Sequence, residues 1–211
     1  MTHGGGCLNI APLNYDDLHR RERIRELRTR LEMQNIDVSR IQETHSKSRS
    51  IRNRKYKIIF SKEMSISETK EEATNKGIGG VAIAYPKELT ESITDVQKIP
   101  HRIMHMALKT NARCKKIRII NSYAPHIGYG KEEQIQYWGE MGEILQHTDQ
   151  KQCTIWMADN NGQIAKDPND IGNNAMGPWA IANKTEPGNG QELQKICKKY
   201  ALSATNTLYT T

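Results

Sequence analysis

Six short apolar segments, none longer than one strand, interleave with three stretches whose apolar residues recur every three or four positions, and this alternation of periods constrains the fold most strongly. The strand-like segments are Leu8 to Leu13, Tyr56 to Phe60, Gly80 to Tyr85, Ile103 to Lys109, Ile117 to Tyr123 and Cys153 to Met157, most of them bounded by Gly, Pro, Asn or Asp. Helical spacing appears from His19 to Gln34 through Ile24, Leu27 and Leu31. It appears again through Ile135, Trp138, Met141 and Leu145, and through Leu193, Ile196, Cys197 and Tyr200. Several strands follow one another without an intervening helix, which short turns permit only between antiparallel neighbours. The expectation is an α/β chain with two packed, mostly antiparallel sheets and outer helices.

Composition sets the scale of that core. With 36% hydrophobic residues and a single Phe among 211, the chain can bury a modest interior. Lys and Arg number 31 against 24 Asp and Glu, a formal charge of +7. That excess favours a polyanionic partner through counterion release, or else describes only a solvated basic surface. Part of it lies on the first helix, where His19, Arg20, Arg21, Arg23, Arg25, Arg28 and Arg30 surround the apolar stripe. Such a face is either solvated or a source of sequence-independent phosphate contacts.

The four cysteines, Cys7, Cys114, Cys153 and Cys197, show no C-x-x-C pair and no zinc spacing, so reduced thiols in an intracellular protein are expected, with the nucleus a reasonable location. No apolar run approaches the ~18 residues of a membrane span, and residues 1–6 lack the core of a signal peptide and read as a loose leader. Ser61 to Gly77 is charged and Ser/Thr-rich and reads as a mobile loop, and Gln163 to Gly190 reads as a second irregular stretch. Residues 7–211 are expected to form one domain.

Four polar runs fall in a fixed order along the chain: Leu13-Asn14, Ile41-Gln42-Glu43-Thr44-His45, Asn121-Ser122-Tyr123-Ala124-Pro125 and Ala158-Asp159-Asn160-Asn161. Taken singly, an Asn after a strand or an Asp-Asn-Asn run makes a turn. Together they offer the carboxylates and neutral amides that a hydrated Mg²⁺ and a phosphate need, because this hard cation takes oxygen ligands, keeps several waters and is usually held by one or two carboxylates. The chemistry implied is cleavage of a phosphate ester.

In this order the runs resemble the signature blocks of the endonuclease/exonuclease/phosphatase, DNase I-like family. Within it they are most similar to the apurinic-endonuclease-like endonuclease domains of non-LTR retrotransposons, a likeness extended by Tyr137-Trp138 and by Asn189-Gly190-Gln191-Glu192-Leu193 running to Asn206-Thr207. The resemblance implies a four-layered sandwich of two mostly antiparallel sheets flanked by helices. It also implies Mg²⁺ as cofactor, with Mn²⁺ as a substitute, and DNA as partner. Glu43 would hold the metal with support from Asn14. Asp159 would activate the attacking water, and Tyr123 and Asn161 would position the phosphate. His45, Arg102 and His126 border these blocks; His45 and Arg102 are added as contacts to the nucleic acid, although each also suits an ordinary surface position.

The sequence departs from that pattern in several places. The family's closing blocks, an Asp in a strand and an S-D-H whose histidine meets the phosphate, have no counterpart before Thr211, so the fold is expected to be incomplete at its C-terminus and turnover weak or absent. Ala158 stands where a glycine is usual and Asn160 where an apolar residue is, while Ser39-Arg40 interrupts a strand that is ordinarily apolar. Arg40 must reach solvent, find a partner, or mark sequence decay. The function expected is thus a Mg²⁺-dependent DNA endonuclease of the retrotransposon type. The alternatives are a non-catalytic nucleic-acid-binding remnant of the same fold, or a phosphomonoesterase.

Overall fold

The computed structural model describes residues 8–15, 18, 20–44, 50–52, 55–61, 80–99, 102–111, 114–147, 152–165, 176–177, 185 and 187–207. The chain divides into two compact units, residues 1–123 with 149–159, and residues 124–148 with 160–211.

The first unit holds both sheets. Strands β1 (Ile10–Asn14), β2 (Val38–Gln42), β3 (Ser50–Arg52), β4 (Tyr56–Phe60) and β5 (Ala82–Pro86) form a five-stranded sheet in the order β1-β2-β5-β4-β3. Strands β6 (Ile93–Ile99), β7 (Ile103–Lys109), β8 (Lys116–Tyr123) and β9 (Gln152–Asp159) form a four-stranded sheet in sequence order. Only β1 with β2 and β8 with β9 run parallel; the other neighbours are antiparallel. The sheets are therefore mixed, with antiparallel pairs in the majority as the short connections require.

Period-two patterning assigns the two faces of the five-stranded sheet. Tyr56, Ile58 and Phe60 of β4, Ala82 and Ala84 of β5 and Ile41 of β2 join Leu27 and Leu31 of helix α1 (Arg21–Met33) in one core. The intervening Ile59, Ile83, Tyr85 and Val38 point the other way and pack with Met104, Met106 and Leu108 of β7 and Ile119 and Tyr123 of β8. The unit is thus layered helix, sheet, sheet. Tyr56 closes the first layer: its hydroxyl shares a proton between the carbonyls of Leu31 and Ile36, 3.1 and 3.0 Å away, anchoring the end of α1 and the entry to β2. Opposite the core, Arg21, Arg23, Arg25 and Arg30 are exposed, with Arg23 paired to Glu26 at 3.0 Å.

Two strands depart from the expected pattern. In β6 the apolar residues Ile93, Val96 and Ile99 are spaced by three, which disguises a strand as a helical turn. The register slips between Ile93 and Asp95, and this bulge returns Ile93 and Val96 to the same partly buried face against the inter-sheet core. Strand β3 is only three residues long. Ser61, expected to open a loop, is buried: its N–H donates to the Val81 carbonyl at 2.8 Å and its Oγ accepts from Val81 N at 3.1 Å. Residues 62–77 of that expected loop lie outside the described residues, as does the expected leader.

His105 in β7 is 8% exposed, and its Nδ1 has no hydrogen-bond partner among the described residues. Burial, followed by the nearby Arg118 guanidinium, holds its pKa below the ordinary histidine value, and Asp95 opposes this. The unfolded chain therefore takes up a proton that the folded chain resists, so stability is unaffected above about pH 6.5 and falls as pH drops through that value. Urea midpoints measured between pH 7 and 5 are expected to decline less steeply for His105→Gln than for the unsubstituted chain.

In the second unit, helix α2 (Lys131–Gln146) and helix α3 (Asn189–Lys199) are amphipathic, burying Tyr137, Trp138, Met141, Ile144 and Leu145 on one and Leu193, Ile196 and Cys197 on the other. Tyr200 donates to the Gly142 carbonyl at 2.9 Å and ties the end of α3 to α2. Helix α3 begins at Asn189, so the expected irregular stretch ends there.

Candidate active site

The two parallel strand pairs end at the same rim of the first unit. Asn14, the last residue of β1, is in register with Gln42, the last of β2; Tyr123, the last of β8, is in register with Asp159, the last of β9. Two side-chain amides join the pairs across the sheets. Gln42 Nε2 donates to the Ser122 carbonyl at 2.5 Å, and Asn121 Nδ2 donates to the carbonyls of Ile41 at 3.0 Å and Ala82 at 2.8 Å. Each tie sits one or two residues before Glu43 or Tyr123, so the strand ends are fixed relative to one another by buried bonds.

At that rim the chain turns sharply. Glu43 has φ 53, a left-handed conformation that costs a non-glycine residue about 1 kcal/mol or more, and it persists because its surroundings hold it. The turn brings its half-buried carboxylate to the Tyr123 hydroxyl, which donates to Glu43 Oε1 at 2.9 Å across 80 residues of sequence. Asn14 is exposed at the same edge, and Asp159 is half-buried. Tyr123 N donates to the Arg102 carbonyl at 2.9 Å, and Arg102 is 8% exposed, so it lies within the fold beside Tyr123 rather than at an ordinary surface position.

Arg40 resolves the break in β2. It alternates with Ile41 and shares the inter-sheet side of the strand with Val38 and Gln42, where it is half-buried. Burial lowers its guanidinium pKa and the Asp159 carboxylate opposes that shift, so an acidic neighbour offsets the cost of holding this cation away from water. Its Nη1 has no hydrogen-bond partner among the described residues.

Asn161 belongs to the second unit. Its backbone is left-handed, with φ 44, and its Nδ2 donates to the Ala124 carbonyl at 2.7 Å. Asn189 braces this turn, donating from Nδ2 to the carbonyls of Pro125 at 2.7 Å and Asn161 at 3.2 Å while its Oδ1 accepts from Trp138 Nε1 at 2.9 Å. Gly162 is required here, since a Cβ would lie 2.6 Å from Gly190 N. His126 is exposed and edge-on to Tyr129 at 4.4 Å, and His45 lies outside the described residues.

Among the described residues no group of three or more His, Cys, Asp or Glu comes together. A soft or tetrahedral metal would lack its ligands there. The rim instead offers oxygen donors alone, the Glu43 carboxylate with the Asn14 amide at the adjacent strand end, and this set suits Mg²⁺ completing its shell with water and phosphate. Sequence reasoning quoted Asn121, Gln42 and Asn189 only as members of the ordered runs and missed the bracing role of each. One signal could have found the first: an asparagine inside an apolar strand must find buried partners.

No family model matches the sequence, and no curated protein matches it. Among solved structures, an AP endonuclease from Archaeoglobus fulgidus is 20% identical over 92% of this chain and 71% of its own, with a TM-score of 0.59. The endonuclease domain of TRAS1, a telomere-specific non-LTR retrotransposon, is 15% identical over 90% of this chain and 69% of its own, with a TM-score of 0.55. A 3′ phosphatase from Neisseria bound to a product DNA hairpin is 14% identical over 90% and 70%, with a TM-score of 0.54. Nucleases and phosphatases are thus its neighbours in architecture, and the chain has the DNase I-like fold of the endonuclease/exonuclease/phosphatase proteins that its ordered blocks imply.

Proposed function

We propose that the protein is a Mg²⁺-dependent phosphodiesterase that cleaves DNA, of the retrotransposon endonuclease type. The observation that carries this is the joining of Glu43, Tyr123 and Asp159 at one rim, by the 2.9 Å Tyr123–Glu43 bond and the Tyr123–Asp159 rung of the sheet. Glu43 and Asn14 hold the metal. When bound, Mg²⁺ supplies Lewis-acid polarisation of the phosphate and clamps its charge. Asp159 takes the proton of the attacking water, and its in-register neighbour Tyr123 is oriented by Glu43 to face the phosphate with its hydroxyl. The positive charge of the chain and the DNA hairpin bound by the Neisseria phosphatase support nucleic acid as substrate.

The test is nicking of supercoiled plasmid. Slow accumulation of open-circular product is expected with Mg²⁺ and none with EDTA. Phosphate released from small esters without strand breakage would instead identify a phosphomonoesterase. Salt-sensitive DNA retention that survives EDTA, with neither reaction, would identify a non-catalytic binding module.

A further inference from the structure

Helix α1 sorts its charges by face. At about 100° per residue, Arg21, Arg25 and Arg28 fall within about 60° of arc and make one row along the helix, while Glu22, Glu26, Arg23 and Arg30 share a neighbouring face. The mixed face compensates itself, with Arg23 donating to Glu26 at 3.0 Å and Glu26 standing one turn before Arg30. The arginine row does not. Arg21 and Arg25 are exposed and Arg28 is half-buried; among the described residues none of the three joins an ion pair, and Arg28 Nε has no hydrogen-bond partner. Glu32, one turn past Arg28, ends the row. The row works against the helix that carries it, because like charges repel at i,i+3 and i,i+4, and a cation in the first turn opposes the positive end of the helix dipole. Packing holds the helix in place all the same: Leu27 and Leu31 are fully buried, and the Tyr56 hydroxyl grips the far end through the Leu31 carbonyl at 3.1 Å. The near end is tied to the candidate active site, where Leu18 N donates to the Thr44 carbonyl at 3.0 Å, next to Glu43. The result is a fixed line of uncompensated cations, about 10 Å long, that starts beside the rim bearing Asn14 and Glu43.

We propose, on the reading of the protein as a DNA-cleaving enzyme, that the Arg21–Arg25–Arg28 row binds the sugar–phosphate backbone of a DNA strand flanking the cleaved bond. A straight row of cations suits a linear polyanion, and guanidinium groups bound to phosphates fix the position of a duplex without reading its sequence. Each contact releases counterions condensed on the DNA, so the row contributes affinity and salt dependence and takes no part in the chemistry. A lipid surface fits less well: a helix that lies in a membrane interface turns an apolar face outward, and the apolar stripe of α1, Ile24, Leu27 and Leu31, is turned into the core.

Binding of the full-length chain to a short fluorescent DNA duplex is measured by anisotropy in EDTA, so that no cleavage intervenes, over a series of KCl concentrations. Two double variants each remove two positive charges from exposed positions of the same helix, Arg21→Gln/Arg25→Gln on the row and Arg23→Gln/Arg30→Gln on the mixed face. The row variant is expected to lower the slope of log K against log salt by about 1.8, at about 0.9 per phosphate contact, and to weaken binding more than about tenfold at about 0.1 M salt. The mixed-face variant is expected to change the slope by less than about 0.5. Equal changes in the two variants would show that net charge alone matters, and an unchanged slope in the row variant, or no DNA binding by the unsubstituted chain, would remove the row from the interface; each overturns the proposal. Loss of binding to phosphatidylserine vesicles by the row variant, with DNA binding intact, would also overturn it and make the row a lipid contact. A lowered slope in a chain that does not nick plasmid keeps the row and removes the nuclease reading, whereas nicking with an unchanged slope does the reverse.

Discussion

Asp159→Asn is expected to lower Mg²⁺-dependent plasmid nicking about 10²- to 10⁴-fold, the usual contribution of a positioned general base. The substitution keeps the shape of the side chain at the end of β9 and its rung with Tyr123, but it removes the carboxylate that takes the proton from water. It also removes the negative charge that offsets Arg40, so the comparison includes Arg40→Met/Asp159→Asn, in which no half-buried cation is left uncompensated. A base role predicts that the double variant is as slow as the single one. Glu43→Gln is expected to fall as far by a separable route, because a lost metal ligand is partly compensated by raising Mg²⁺ and a lost base is not. Recovery of Asp159→Asn at high Mg²⁺, or a loss below tenfold, would remove Asp159 from the role assigned to it.

Asn121→Asp is expected to destabilise the protein by about 3–5 kcal/mol at pH 7, the range for a buried charge stripped of a compensating partner. Asn121 is fully buried, and its amide donates to two carbonyls that face one another in the last pairing of β2 and β5. A carboxylate there has no proton to give and repels both oxygens. Its folded pKa would rise above the unfolded value, so the folded state would hold the extra proton and the defect would deepen as pH rises through about 3.9. Asn121→Leu is expected to cost less, about 1–3 kcal/mol, because the two carbonyls lose a donor while no charge is buried and the Asn121 Oδ1, itself without a partner among the described residues, is removed. Shifts of the urea midpoint between pH 4 and 8 measure both; a pH-independent Asn121→Asp would show that its side chain reaches water.

Much of the architecture was legible because local pattern and tertiary environment agree. Tyr56 to Phe60 and Ile103 to Lys109 are strands with the expected bounds, since apolar runs between turn residues that are too short for a typical helix suit a buried strand. Asn14, Glu43, Tyr123 and Asp159 stood out in sequence because they lie in four polar runs whose order resembles the blocks of a known family, and the parallel pairs place the strand ends that carry them at one rim. What was hidden depends on distance along the chain. The ties from Asn121 to Ile41 and from Gln42 to Ser122 span 80 residues, and nothing in either local pattern announces the other. Strand β6 was concealed by its bulge. The burial of Arg102 follows from its place beside Tyr123, which no neighbouring residue in sequence reveals.

The left-handed turn at Glu43 narrows what evolution can put there. Main-chain geometry, not rotamer choice, aims this acid, and the residues most at ease in that geometry are glycine, asparagine and aspartate. Of these only aspartate keeps the negative charge, and it is one methylene too short to meet the tyrosine from the same Cα. Comfort of the chain and reach of the headgroup therefore pull in opposite directions at this single position, and glutamate is the compromise that favours reach.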